Sequence, residues 1–389
     1  MRVIIAPDSY KGSLSAVEVA KAIRKGIHQI FQQAEIIEVP IADGGEGTVE
    51  ALVVATGGKI VPERVKGPLG NPVESFWGIL GDNRTAVIEM AAASGLPLVP
   101  AGKRDPRIAS SYGTGQLIKS ALDNGFRKLI LGIGGSATND GGAGMAQALG
   151  VKFMDANGRE LAPGGAELSR LTEINLDLLD PRLKESEIVV ACDVDNPLFG
   201  PRGASAVYGP QKGATPEMVP ELDNALKNFA EIAGKATGRL IADVPGAGAA
   251  GGMGAGLLFF TPAVLRTGVE IVFEAVGLAS LIRSADIVIT GEGRTDYQTA
   301  FGKAPVGVGK LAKQFNKVAI CISGSLGRGA DDILDQGINA VVSIVPAPMK
   351  LEECMKSAPE LVEKAANRVA RLLKAGASLV GQGNLEKRA

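Results

Sequence analysis

The sequence predicts an α/β protein of two domains: a doubly wound, largely parallel-sheet domain formed from both chain ends, and an inserted mixed α+β domain. Three observations predict it. Short β-branched runs, "RVIIAP", "EIIEVPI", "KLILGI", "EIVVACDV", "ADIVIT", "KVAICIS" and "AVVSIV", repeatedly precede a glycine-bearing loop and a helical pattern. Continuous apolar runs are what strands covered on both faces require. The stretch Val65–Met90 departs from this, alternating polar and apolar residues between turn signals at Gly67-Pro68, Asn71-Pro72 and Asp82-Asn83, as antiparallel structure would. Finally, 389 residues are about two to three times a usual domain. The expected boundaries are 1–58 with 285–389 for the doubly wound domain and 59–284 for the insert.

Ligands of doubly wound sheets bind at the carboxyl ends of strands, so the loops there are read in order. After "RVIIAP" comes "DSYKGSLS", with Asp8, Ser9 and Lys11 before a Ser-capped helix over Ser15–Ile27, whose Val17, Ala20, Ile23 and Ile27 recur at helical spacing. A helix start with a nearby lysine suits an anion; a solvated turn is the competing reading. After "EIIEVPI" comes "ADGGEGT", which sets Asp43 and Glu46 among three glycines, with Thr48 opening a helix. Glycines let backbone approach phosphate closely, whereas carboxylates beside phosphate call for a metal ion. "SSYGTGQLIKSAL" offers Ser110, Ser111, Thr114 and Gly115 at another helix start, for capping or for an anionic ligand.

"LGIGGSATNDGGAGMAQALG", residues 131–150, is strand, glycine loop and helix, with Gly132, Gly134 and Ala137 in the G-x-G-x-x-G/A spacing of dinucleotide-binding proteins. It also carries Asp140, which would repel a pyrophosphate. "VVACDVDNPLFG" ends a strand with Asp193 and Asp195 on one side, suited to magnesium, to general-base work, or to a turn begun at Asp195-Asn196-Pro197. Helices follow over Pro216–Lys235 and Leu351–Ala375. "DIVITGEGRTDYQTAFGKAPVGVGKL" is the densest constellation, with Glu292, Arg294, Asp296, Gln298 and Lys303 after a strand. Gly309-Lys310 is followed by Leu311 rather than Ser or Thr, which argues against a P-loop NTPase.

Composition narrows the classes. Basic and acidic residues number 41 and 42 and aromatics are only 4%, so nucleic acid is a poor partner. The three cysteines, Cys192, Cys321 and Cys354, give no zinc spacing or disulfide framework and suit a reduced, cytoplasmic setting. The single histidine, His28, sits in a basic helical segment, which leaves no evident histidine base or metal ligand. "MRVIIAPDS" enters a strand at once, unlike a signal peptide. Val244–Leu265 lacks charge for 22 residues, but its six glycines and two prolines mark a buried glycine-rich segment rather than a membrane span. The sequence leaves open whether the chain forms a homo-oligomer.

Two activities remain. A nicotinamide-dependent oxidoreductase would use the Gly132 fingerprint with Asp155 as the ribose acid, although Gly246, Gly248 and Gly251 match the same spacing without a preceding strand. A phosphotransferase acting on a small acid or alcohol needs cations, metal-binding acids and backbone N–H groups but no histidine, which is the inventory present. A non-catalytic binding protein would leave the acids in so many glycine loops unexplained.

The segments "APDSYKGSLSA", "ADGGEGT", "IEMAAASGL", "SYGTG", "GIGGSATNDGG", "CDVDNPL", "YGPQKGA" and "TGEGRTDYQTAFGKAPVGV" run in order from Ile5 to about Val308. Together they resemble the bacterial type I glycerate kinase family. The resemblance implies ATP-dependent, magnesium-assisted phosphorylation of D-glycerate to 2-phosphoglycerate, in glycerate, glyoxylate or sugar-acid breakdown. The chemistry of the matching motifs places Asp193 first and Asp43 second as the base. Lys11, Arg294 and Lys303 are placed on the glycerate carboxylate or the transferring phosphate, with Asp8, Ser9, Glu292 and Asp296 beside them. Gly134, Gly135, Ser136, Thr138, Asn139 and Thr114 are placed on ATP, and Asp193, Asp195 and Asp140 on Mg2+.

Overall fold

The computed structural model describes residues 1–42 and 44–386. Two compact units make up the chain, one from Met1–Asp43, Glu50–Ala55 and Val272–Ala389 and the other from Gly44–Val49 and Thr56–Ile271. In chain order the strands are β1 (Arg2–Pro7), β2 (Glu35–Glu38), β3 (Lys59–Lys66), β4 (Pro72–Ile79), β5 (Thr85–Glu89), β6 (Lys128–Gly132), β7 (Lys152–Met154), β8 (Glu173–Asn175), β9 (Glu187–Ala191), β10 (Val264–Arg266), β11 (Ile287–Thr295), β12 (Val318–Leu326) and β13 (Ala340–Ser343).

The unit holding both chain ends has a parallel sheet in the order β13-β12-β11-β1-β2. Counted along this unit alone, that is the order 2-1-3-4-5 of a doubly wound sheet, with its switch point between β1 and β11. Both faces are covered, which explains the unbroken apolar runs. Val3, Ile5, Ile289 and Ile322 pack with Ile23 of the helix Ala16–His28 and with Val362 and Ala366 of the helix Ala358–Glu386. Ile4 and Val288 alternate with them and are equally buried. Ser15 closes the first helix in a capping box: the Glu18 N–H donates to Ser15 Oγ and the Ser15 N–H to Glu18 Oε2. The segment expected as one helix over Leu351–Ala375 forms two, Leu351–Lys356 and Ala358–Glu386. Pro359 has no N–H to continue the ladder, so the chain restarts there.

The other unit has a mixed sheet in the order β10-β9-β6-β5-β4-β3. β3, β4 and β5 are antiparallel, as the turn signals predict, while β5, β6, β9 and β10 run parallel. Asp82 fixes the β4–β5 turn by accepting from the Arg84 and Thr85 N–H groups and the Thr85 hydroxyl. One core lies around Trp77, Ile88, Leu131 and Met253, and another around Phe153, Phe229, Phe259 and Phe260. The uncharged Val244–Leu265 segment includes Ala250, Gly251 and Gly252 at positive φ within the helix Ala249–Phe260. Among the described residues no helix is long and apolar enough to cross a membrane.

Candidate active site

In the first unit the carboxyl ends of β1 and β11 collect the residues expected there. The Asp8 N–H donates to Gly291 O at 2.8 Å, so the 8–14 loop turns beside β11, and Asp8 Oδ1 accepts from the Ser9 N–H at 2.6 Å. Gly293 lies so close that a Cβ there would stand 3.2 Å from the Lys11 backbone nitrogen. Glu292 is buried, and its Oε1 accepts from the hydroxyls of Thr295 (3.0 Å) and Thr299 (2.6 Å). Burial pushes its carboxyl above the usual range, while those hydroxyls and Lys303 pull it down. Lys303 Nζ stands 3.8 Å from Glu292 Oε2 and Arg294 Nε 3.3 Å from Asp296 Oδ2. Lys11, Arg294 and Lys303 are exposed at this edge. It is therefore a cationic edge with its acids held behind or beside the cations, which is what an anionic ligand needs. Gln298 donates its N–H to Asp296 Oδ1 and closes the turn.

In the second unit the carboxyl ends of β5, β6 and β9 carry Glu89, the Gly132–Asp140 loop and Asp193. The Gly44–Val49 loop sits on all three. A Cβ on Gly132 would stand 2.5 Å from Gly44 O, one on Gly134 2.8 Å from Gly45 Cα, and one on Gly44 2.3 Å from Ala191 Cβ. The dinucleotide-like spacing thus serves a backbone-to-backbone approach, and the Gly134 N–H donates to Gly44 O at 3.4 Å. The loop does not lead straight into a helix, because the six-residue helix Ala143–Ala148 begins after Gly142 in the left-handed region. Asp155 is no ribose acid. It ends β7, which pairs antiparallel with β8 outside the main sheet, and its carboxylate accepts from the N–H groups of Asn157 and Arg159 and pairs with Arg170. The Gly246–Gly251 spacing is likewise packing, since a Cβ on Gly251 would stand 2.0 Å from Thr138 O. The nicotinamide reading loses its supports.

Asp140 is fully enclosed. Its Oδ2 accepts from the Ser111 N–H (2.8 Å), the Ser111 hydroxyl (2.8 Å) and the Gly144 N–H (3.3 Å), and its Oδ1 from the Gly142 N–H (3.2 Å). Burial pushes its carboxyl up, while these donors pull it down. Asp195 is exposed and pairs with Arg202 at 3.3 Å. Among the described residues no group of three or more His, Cys, Asp or Glu side chains could hold a metal ion. Asp193 stands exposed at the end of β9, with Oδ1 fixed by the Gly268 N–H at 3.0 Å. Asp43 lies outside the described residues.

The residues expected on ATP divide. The Thr114 hydroxyl donates to Ser94 Oγ and Asn139 Nδ2 to Ser205 Oγ, each at 2.9 Å. Gly135 is exposed, Ser136 is buried, and Thr138 Oγ1 and Asn139 Oδ1 are buried without a hydrogen-bond partner.

Sequence reasoning missed two buried ionisable side chains here. Glu89 closes the apolar run of β5, and its Oε1 accepts from the Thr48 N–H at 2.9 Å, with the Gly47 and Val49 N–H groups also directed at the carboxylate. It fills the start of the helix Thr48–Thr56 that the sequence offered to phosphate. The other is Lys212 in "YGPQKGA", whose Nζ donates to Thr138 O at 2.7 Å. An acid ending an apolar strand was a usable signal for the first; nothing local marks the second.

Desolvation raises the Glu89 carboxyl to about 7. The folded protein therefore holds this proton more tightly than the unfolded chain, so the contribution to stability is greatest below about pH 4.5 and is lost as pH rises through about 7. The loss corresponds to about 3 kcal/mol at one pH unit per 1.36 kcal/mol. Glu89→Gln should remove that slope, which denaturant titrations at pH 5 and pH 8 would measure; an unchanged slope would clear Glu89 of the effect.

A profile of the Glycerate kinase family matches residues 3–374. The chain belongs to the glycerate kinase family. As a family member it is a kinase. It is 53% identical to a glycerate kinase of Bacillus subtilis (strain 168) over 374 residues, 96% of this chain and 98% of the relative. It is also 53% identical to the glycerate 2-kinase of Escherichia coli (strain K12) over 376 residues, 97% of this chain and 99% of the relative. A crystal structure of a protein assigned as glycerate kinase 2 from Salmonella typhimurium LT2 superposes with a TM-score of 0.89 at 53% identity, covering 97% of this chain and 99% of that one. The α/β fold is thus common to both structures.

Proposed function

We propose that this glycerate kinase transfers the terminal phosphoryl group of MgATP to the 2-hydroxyl of D-glycerate, releasing ADP and 2-phosphoglycerate. The similarity to a glycerate 2-kinase over 97% of the chain carries the reading. In the reaction the substrate O2–H bond gives its proton to a carboxylate base, the O2–P bond forms, and the bond from phosphorus to the ADP oxygen breaks. Catalysis is then positioning plus neutralisation of charge.

Asp193 is the proposed base, because it is exposed at a strand end and its Oδ1 is already oriented by Gly268; Asp43 is the second choice. Lys11, Arg294 and Lys303 bind the glycerate carboxylate or the transferring phosphate, as exposed cations at the edge nearest the β1/β11 switch point. Asp8, Ser9, Glu292 and Asp296 orient them and the substrate hydroxyls. The Gly134–Asn139 loop receives ATP phosphates through Gly135 and Ser136, with Thr138 and Asn139 behind it and Thr114 bracing it through Ser94. The cation is written as part of the MgATP substrate, which suits an ion held mainly by phosphates. Three free cysteines favour a cytoplasmic setting, and glycerate, glyoxylate or sugar-acid breakdown is the metabolic context proposed.

A coupled assay should show ADP release that requires both D-glycerate and Mg2+. Hydride transfer to NAD without ADP would overturn the reading.

A further inference from the structure

The Gly134–Asn139 loop, read above as the ATP-phosphate loop, is followed at once by the Asp140 carboxylate, a charge that opposes any phosphate placed there. Lys212 supplies the opposite charge inside the same unit. Its side chain is 2% exposed, and its Nζ donates to the carbonyl of Thr138, two residues before Asp140. Among the described residues that is the one hydrogen bond its ammonium makes, and Asp140 is the charged side chain that acts on it. Gly213, at φ +96, holds Lys212 in place: a Cβ there would stand 2.4 Å from Arg104 O, so only glycine lets this turn close against the Arg104 backbone. Thr138 Oγ1 and Asn139 Oδ1 are fully buried and lack partners, on the residue that takes the lysine's hydrogen bond and on the one between it and the aspartate. The interior of the loop thus has spare donors on Lys212 and spare acceptors beside them. Burying a lysine is costly, and burial does push this ammonium down to about 7 while Asp140 draws it back up.

We propose that Lys212 is a positioning residue for the phosphate-binding loop: its buried ammonium fixes the Thr138 backbone and offsets the Asp140 carboxylate, so that the loop accepts an anion at its surface around the exposed Gly135. The proposal rests on the assignment of this loop to the nucleotide. A charge inside a low-dielectric loop acts on a ligand outside it without touching it. This separates Lys212 from Lys11, Arg294 and Lys303, which are exposed.

The test uses the full-length enzyme with ATP and D-glycerate as probes, in Lys212→Met, Asp140→Asn and the double variant, with melting temperatures followed in each. Lys212→Met should raise the KM for ATP by roughly tenfold or more and leave the KM for glycerate nearly unchanged, because a buried uncompensated carboxylate faces the phosphate. Adding Asp140→Asn should restore much of the ATP affinity, and that non-additivity is the signature of charge compensation. The double variant is neutral at both positions, so its comparison with Asp140→Asn alone answers the question even if Lys212→Met alone does not fold. A rise in the glycerate KM instead, again reversed by Asp140→Asn, would uphold the role of Lys212 and overturn the nucleotide assignment. Unchanged KM values, or additive losses in which only the melting temperature falls, would overturn the proposal.

Discussion

Asp193→Asn should lower kcat by a factor of about 10² to 10⁴, the usual worth of a positioned general base, while the melting temperature stays within a few degrees of the parent. The asparagine oxygen can still accept the Gly268 N–H that Asp193 Oδ1 accepts at 3.0 Å, so the end of β9 keeps its geometry and only the basicity is lost. The KM for ATP should change little, because the base acts on the acceptor hydroxyl. Steady-state kinetics on the purified variant reads both numbers. Near-normal turnover would move the role to Asp43, whose replacement would then be the one to abolish activity.

Gly132→Ala should be the most damaging conservative change in the second unit. The new methyl would stand 2.5 Å from Gly44 O, a backbone atom that cannot swing aside as a side-chain tip can. Either β6 or the Gly44–Val49 loop must shift, and forcing an atom into a packed contact typically costs about 1–3 kcal/mol. Displacing the loop would also disturb the Gly134 N–H bond to Gly44 O and the Thr48 N–H bond to Glu89. Turnover should therefore fall further than stability alone explains. Gly102→Ala, where a Cβ meets nothing within 4 Å, is the matched control. Equal behaviour of the two variants in urea titration and in turnover would mean that the loop is not seated as described.

These contacts show what was legible and what was not. Strands such as Arg2–Pro7 and Lys128–Gly132 are written locally, because burial on both faces demands unbroken apolar runs, and the Ser15 cap is equally local. The cations at the β1/β11 edge could also be found, since the sheet places the residues after each strand at one end. The use made of Gly132 and Gly134 could not. Their spacing suggests a pyrophosphate, but the partner that demands glycine is backbone almost ninety residues earlier in the chain. Asp140 illustrates the same limit, because the four donors that enclose it come partly from Ser111. Lys212 is the extreme case: a lysine beside glycine and proline reads as a surface residue, and only the fold reveals it inside.

The identity of the phosphorylated carbon tests the account's central claim most directly. NMR of the product formed from D-glycerate and MgATP should show the phosphorus coupled to the single proton on C2, with ADP formed in equal amount. Coupling to the C3 methylene protons would contradict 2-phosphorylation, and the absence of any phosphoglycerate would contradict the proposed reaction itself.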